Sequence, residues 1–260
     1  MKFAIIISTK NVASLNIMHA LRREFSFQKD VLIQGNDQFK IYKFDERITY
    51  LEGIDENIDA HILIFPSTHT SKAKVDCFAV HSIGNFGNAD LGGRPGFLVP
   101  SPAGLIKECF RLLSKNNLGL SVIQEATHHG PALEKPAMFI EIGSTEEMYN
   151  NNEACTIIAK TIIEACASNQ QYQTAVGIGG PHHSPNFEKI TLNSETAVGH
   201  ICPKYALGEL DRQKLKQAME KTIPRANFAI VDWKGLGEHK DKIKKLLDDE
   251  TVAYKKTSEY

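Results

Sequence analysis

The chain has 260 residues, of which 42% are hydrophobic and 23% charged, with a formal net charge of −1. These are the proportions of an ordinary globular protein, and they exclude disordered and collagen-like chains. Near-neutrality also excludes a uniformly basic nucleic-acid binder, so any basic surface has to be local. No apolar run approaches the roughly 20 residues of a membrane-spanning helix. The opening run Ala4-Ile5-Ile6-Ile7-Ser8 is too short for a secretory signal core, so a cytoplasmic location and no membrane partner are expected. Five cysteines (Cys77, Cys109, Cys155, Cys166, Cys202) are scattered and never in CxxC spacing, which argues against a disulfide framework or a thiolate zinc site.

Residues 3–8 read as a buried strand and residues 12–25 as a helix, a first βα unit. Short strands are expected at 31–34, 39–44, 61–66 and 77–83. A loop over 84–96 follows, whose five glycines let backbone amides approach a ligand. Ser101-Pro102 reads as an N-cap and first helical position, opening a helix through Leu105, Ile106, Cys109, Phe110 and Leu113. Strands are expected at 120–125 and 137–142. Ser144-Thr145-Glu146-Glu147 has capping-box spacing and opens a helix running to about residue 167. Strands at 174–178 and 187–192, a helix at 211–221, a strand at 228–232, a Lys-rich helix at 238–249 and a strand at 251–254 complete the chain. The expected fold is one α/β domain over residues 1–260 with a mixed central sheet flanked by helices.

Six of the ten histidines fall in four short stretches carrying loop signals: His81-Ser82-Ile83-Gly84-Asn85-Phe86, Glu125-Ala126-Thr127-His128-His129-Gly130-Pro131, Gly177-Ile178-Gly179-Gly180-Pro181-His182-His183-Ser184-Pro185 and Gly199-His200-Ile201-Cys202-Pro203-Lys204-Tyr205. Each follows or lies within an apolar strand-like run, and strand mouths are where open α/β sheets bind ligands. On a regular strand the two members of each His-His doublet point to opposite faces, and Glu125, Thr127 and His129 share one face. That spacing brings a carboxylate within reach of an imidazole, the arrangement that orients histidine as a base or ligand. Gly-Pro flanks fix the doublets, and a hydrophobic core would not select four imidazoles. His19, His61 and His239 read as ordinary surface or core histidines, and His69, in a polar loop, reads evenly between the two.

Gly179-Gly180-Pro181 reads equally as a sharp strand exit or as amides presented to an oxyanion or phosphate. Lys240, Lys242, Lys244 and Lys245, interleaved with Ile243, Leu246 and Leu247, read as a solvated helix face before an RNA grip. No GxSxG elbow, Walker loop, HExxH or dinucleotide fingerprint is present, which removes most support for serine hydrolase, kinase, zincin and dehydrogenase chemistry.

Taken together and in this order, the four histidine stretches resemble the signature blocks of the archaeal- and plant-type D-aminoacyl-tRNA deacylases, over a span from Phe3 to about Lys221. The resemblance implies hydrolysis of the ester joining a D-amino acid to the terminal ribose of tRNA, as chiral proofreading of mischarged tRNA. It also implies a dependence on zinc and a fold similar to peptidyl-tRNA hydrolases and purine nucleoside phosphorylases. Carried over by position, the site comprises His81, Glu125, His128, His129, His182, His183, His200 and Lys204.

Within that resemblance, zinc is expected on His81, His128, His182 and His200, where imidazole ligation lowers the pKa of bound water to about 7. Glu125 with His129 or His183 is expected to manage protons, and the Gly179 and Gly180 amides to receive the oxyanion. Asn85, Arg94, Thr127 and Lys204 join Gly179 and Gly180 as substrate-binding candidates. Lys107, Arg94, Lys204 and the Lys240 to Lys245 face are the candidates for contact with tRNA. A metal-free histidine mechanism, or one using the 2′-hydroxyl of the tRNA, stays open. The protein is expected to act as a monomer. The competing functions are a peptidyl-tRNA hydrolase or nucleoside-phosphorylase-like enzyme, and a non-catalytic histidine-rich module binding metal or tRNA.

Overall fold

A computed structural model describes residues 1–260. Strand β1 (Lys2–Ser8) leads into helix α1 (Val12–Glu24), the hairpin β2 (Val31–Gln34) and β3 (Asp37–Phe44), and then β4 (Ile62–His69) and β5 (Cys77–Ser82). The two-residue strand β6 (Ser101–Pro102) precedes α2 (Ala103–Leu113), β7 (Ser121–Gln124), β8 (Ala137–Gly143), α3 (Glu146–Tyr149) and α4 (Asn152–Cys166). The remaining elements are β9 (Gln173–Ile178), α5 (Pro185–Asn193), β10 (Thr196–Cys202), α6 (Arg212–Lys221), β11 (Thr222–Ile223), β12 (Phe228–Val231), α7 (Lys240–Asp249) and β13 (Tyr254–Lys256).

The expected mixed sheet is present as seven strands in the order β2-β3-β1-β4-β8-β5-β7, with β2–β3 and β5–β8 antiparallel and the other pairs parallel. Its central strands are apolar on both faces, as strands covered on both sides must be. Phe3, Ile5 and Ile7 pack into the core under α1, α2 and α4, while Ala4 and Ile6 face a second core with Leu63, Phe65 and Phe139. The chain departs from a single sheet in its C-terminal part. β10-β9-β12-β13 form a separate all-parallel sheet, covered on one side by α6 and α7 through Leu215, Met219, Ile243 and Leu247. Periodicity reports which residues are buried, not which strands pair, so it does not reveal this division.

Three local expectations are corrected and one unforeseen strand is added. Residues 187–192 form helix α5, not a strand: Pro185 stands at its start, and Phe187, Ile190 and Thr191 make one buried helical face. The helix expected from 144 to 167 is two helices, because Asn151 caps a new start by accepting from the Glu153 and Ala154 amides. Ser101 does not cap α2; it lies in β6, paired with β11, and its hydroxyl meets that of Ser82 at 2.6 Å. Residues 196–202, not recognised as an element, form the fully buried strand β10. No helix is long and apolar enough to cross a membrane.

Candidate active site

The site lies on the seam between the two sheets. Beyond β7 the chain stops alternating and crosses to the second sheet. Glu125 forms an antiparallel bridge with His183, the Ala126 amide donates to His182 O at 2.8 Å, and the Thr127 amide donates to Ile201 O at 3.0 Å. His128 then bridges back to Ile83 after β5. His129 has φ +43°, a left-handed conformation uncommon for a side-chain-bearing residue and concentrated at functional sites. Gly84 makes this approach possible. Its amide donates to His129 O at 3.0 Å, and with φ +141° a Cβ there would stand 2.7 Å from Leu98 Cα. The face shared by Glu125, Thr127 and His129 on a regular strand does not exist for this reason. The Thr127 hydroxyl turns to the Ile201 amide and lies 3.2 Å from His200 Nδ1.

Three histidines converge. His81 from β5 stacks on Phe139 at 5.1 Å between centroids, and its ring lies 4.1 Å from His128 and 4.9 Å from His129. Each donates Nδ1–H to a backbone carbonyl: His81 to Ser82 O at 3.1 Å, His128 to Ala126 O at 2.8 Å and His129 to Gly130 O at 2.7 Å. A carbonyl only accepts, so these bonds fix the tautomer and leave each Nε2 lone pair free. One ring nitrogen of each lies within 4.8 Å of the others, and the buried Nε2 of His81 has no hydrogen-bond partner. Burial pushes the pKa of His81 down to about 3 and that of His129 to about 4, and it holds His128 well below the ordinary value. All three are therefore neutral at pH 7. Neutral imidazoles oriented through Nδ1, one of them orphaned at a buried Nε2, are a donor set that suits a zinc ion.

Glu125 is the hub of a second group. It accepts from His69 Nδ1 at 3.1 Å and from His182 Nε2 at 3.0 Å, and His183 Nε2 stands 3.6 Å away. With Nε2–H committed to Glu125, His182 Nδ1 accepts from the Tyr205 hydroxyl at 3.0 Å. Burial opposes ionisation of Glu125, but the hydrogen bonds from His182 and His69 outweigh it and hold the carboxyl well below the usual range. Glu141, from β8, lies 3.7 Å from His69 Nδ1 and 3.9 Å from His81 Nε2. Burial raises its pKa. Burial alone would lower His69, yet the two carboxylates lift it to about 10, so His69 is a cation held in the interior.

Two cavities meet at this cluster, and His128 and His129 line both. One, of about 320 Å³, is formed by the glycine-rich loop with Asn85, Phe86, Leu91, Thr127 and Tyr205. The other, of about 430 Å³, opens at the carboxyl ends of β1, β4 and β8 and is lined by Asn11, Arg47, Thr68, His69, Glu125 and Glu141 among others.

The expected site residues are only partly brought together. His81 and His128 converge as expected, but the third imidazole is His129, and His182 instead forms a set with Glu125 and His128. His200 stands outside every such set, fully buried at an irregularity of β10, with its pKa lowered by burial to about 3. The Gly179 amide donates to Cys202 O at 2.8 Å and so is not free for an oxyanion, and neither Gly179 nor Gly180 lines either cavity. Arg94 and Lys204 are exposed and line neither cavity. Lys107 cannot reach RNA, because it is buried and its Nζ donates to the Thr191, Ser194 and Thr196 carbonyls. Asn85 lines the glycine-loop cavity and donates to Gly92 O at 3.0 Å. Sequence reasoning assigned no role to Glu141 and Tyr205 and left His69 evenly poised. Glu141 left one signal, a lone carboxylate in the apolar run Met138-Phe139-Ile140-Glu141-Ile142.

A family model described as D-aminoacyl-tRNA deacylase matches residues 56–255. A D-aminoacyl-tRNA deacylase of Thermococcus kodakarensis is 38% identical over 248 residues, covering 89% of this chain and 91% of the relative. One of Pyrococcus abyssi is 36% identical over 263 residues, covering 94% and 96%. Among solved structures, a conserved protein of unknown function, AF0625, superimposes with a TM-score of 0.89 at 29% identity, covering 100% of this chain and 96% of that one.

Proposed function

Since this chain belongs to the D-aminoacyl-tRNA deacylase family, we propose that its seam site hydrolyses the ester of D-aminoacyl-tRNA with the help of a zinc ion held by His81, His128 and His129. The observation that carries the reading is the trio of neutral imidazoles, each fixed through Nδ1 and free at Nε2, beside the ionised Glu125. Zinc in such a setting acts as a Lewis acid and lowers the pKa of a coordinated water. The chain's own residues do the remaining work. Carbonyls of Ser82, Ala126 and Gly130 hold the ligating rings, and Phe139 closes the space behind His81. Glu125 holds the Nε2 side of His182 and His183, and the Tyr205 hydroxyl on His182 Nδ1 extends a Glu125–His182–Tyr205 chain along which a proton can pass.

Membership of this family does not favour the phosphorylase, peptidyl-tRNA hydrolase or non-catalytic readings. The test is release of labelled tyrosine from D-Tyr-tRNA and L-Tyr-tRNA, with metal content measured in parallel. Release from the D ester alone, lost on chelation and regained with zinc, is expected. Chelator-resistant release from metal-free protein would remove zinc and leave the deacylase assignment. No release from the D ester would overturn both.

A further inference from the structure

An ester has an acyl side and an alcohol side, and two cavities share the His128–His129 wall where the bond would break. Their chemistry differs. The glycine-loop cavity carries Phe86, Leu91, Ala206 and Tyr205. In the other, Ile48 is the lone hydrophobic residue among Ser8, Asn11, Thr49, Ser67, Thr68 and similar groups.

The polar cavity also occupies a special place in the large sheet. β1 pairs with β3 on one side and β4 on the other, so the chain reverses its winding between β1 and β4, and the cavity opens at their carboxyl ends. Ligands of open α/β sheets bind at this switch point. Asn11, which lines the cavity, is also the N-cap of the 13-residue helix α1, whose positive end favours an anion.

Two side chains there lack partners of their own. His69 is 95% buried, with Nδ1 held by Glu125 and Nε2 without any hydrogen-bond partner. A buried ring nitrogen left unpaired is costly, and this one belongs to a side chain that lines the cavity beside Glu125. Arg47, at the outer part of the cavity, rests over the Tyr50 ring at 5.3 Å and pairs with no carboxylate, whereas the neighbouring Lys10 is taken by Asp45 at 3.1 Å.

We propose that the polar cavity seats the terminal ribose of the tRNA and its 5′-phosphate, with the Arg47 guanidinium on the phosphate and His69 beside the ribose. The aminoacyl group is left to the glycine-loop cavity. The proposal rests on the deacylase reading and deepens it by assigning the two sides of the ester to two places.

Arg47 is exposed, so its replacement leaves folding intact. Arg47→Ala and Arg47→Lys are compared with the parent, in the zinc-loaded full chain, on D-Tyr-tRNA and on D-tyrosyl-adenosine, which has the ribose but no phosphate. Arg47→Ala should lose about tenfold more kcat/KM on the tRNA ester than on the nucleoside ester, through KM, as loss of one charge-assisted phosphate contact implies. The slope of log kcat/KM against log salt should become shallower by about 0.7, and Arg47→Lys should restore it. Equal losses on the two esters, or an unchanged salt slope, would overturn the assignment while leaving the deacylase reading standing. If the parent releases tyrosine from neither D ester, both fall together.

Discussion

Replacing Glu125 with Gln keeps the shape of the side chain and removes its charge, and the consequence can be read on His69. The imidazole of His69 is lifted from 6.5 to about 10 against its own burial, with Glu125 ahead of Glu141 among the groups that raise it. At about 1.4 kcal/mol per pH unit, the whole lift represents about 5 kcal/mol, and Glu125 leads the groups that supply it. In Glu125→Gln the His69 pKa should therefore fall clearly below about 10. A histidine whose pKa rises on folding stabilises the protein fully below 6.5, and the effect is lost as pH climbs towards 10. The parent should thus lose stability across that alkaline window, and the variant should lose less. Imidazole NMR titration of chelator-treated protein reads the pKa, and urea melts at pH 6 and pH 10 read the stability. The same variant should lose about 10²- to 10⁴-fold in kcat, as expected when proton handling is impaired. A His69 that still titrates near 10 in the variant would refute the claim that Glu125 holds it.

Other replacements separate ligation from support. His81→Ala and His129→Ala should each abolish stoichiometric zinc binding in metal analysis, whereas His200→Asn, outside every convergent set, should retain the metal. Lys107→Met strips a donor from three buried carbonyls and should cost about 2–3 kcal/mol in denaturant melts, with no change in the salt dependence of deacylation. A salt slope that falls would show that Lys107 touches RNA after all. Gly84→Ala sets a Cβ against Leu98 Cα at 2.7 Å in a conformation L residues rarely adopt, so a loss of about 1–3 kcal/mol and a displaced His129 are expected. Phe139→Ala should cost about 3–5 kcal/mol and weaken zinc affinity by loosening the ring that backs His81.

The sequence exposed the parts of the site that need special backbone. His128-His129-Gly130-Pro131 and Gly180-Pro181-His182-His183 stand out because imidazoles beside glycine and proline have no use in a core. Regular elements were legible where one periodicity dominates, as in β1, α1 and α6. Legibility failed at Phe187–Leu192, where Ile190 and Leu192 alternate while Phe187, Ile190 and Thr191 keep helical spacing, and Pro185 decides the matter. Long-range geometry was out of reach. His69 and Glu141 acquire meaning only because β4, β8 and β5 lie side by side, bringing residues 69, 81 and 141 together. The glycine pair at 179 and 180 was legible as a turn but not as a committed one, since only the structure shows its amide spent on Cys202.

The reacting groups come from both sheets, with His81, Glu141 and His69 on one side and His182, His183 and Tyr205 on the other. The strip Glu125–His129 threads between them at the site itself. Such an assembly is only as durable as its stitching. A slight parting of the two layers would scatter the imidazoles while each layer kept its secondary structure, so in rising urea the enzyme should fall silent before its circular dichroism changes. Activity becomes the most sensitive gauge of how the two layers sit, and substitutions far from the chemistry that ease one layer against the other should register first as lost turnover.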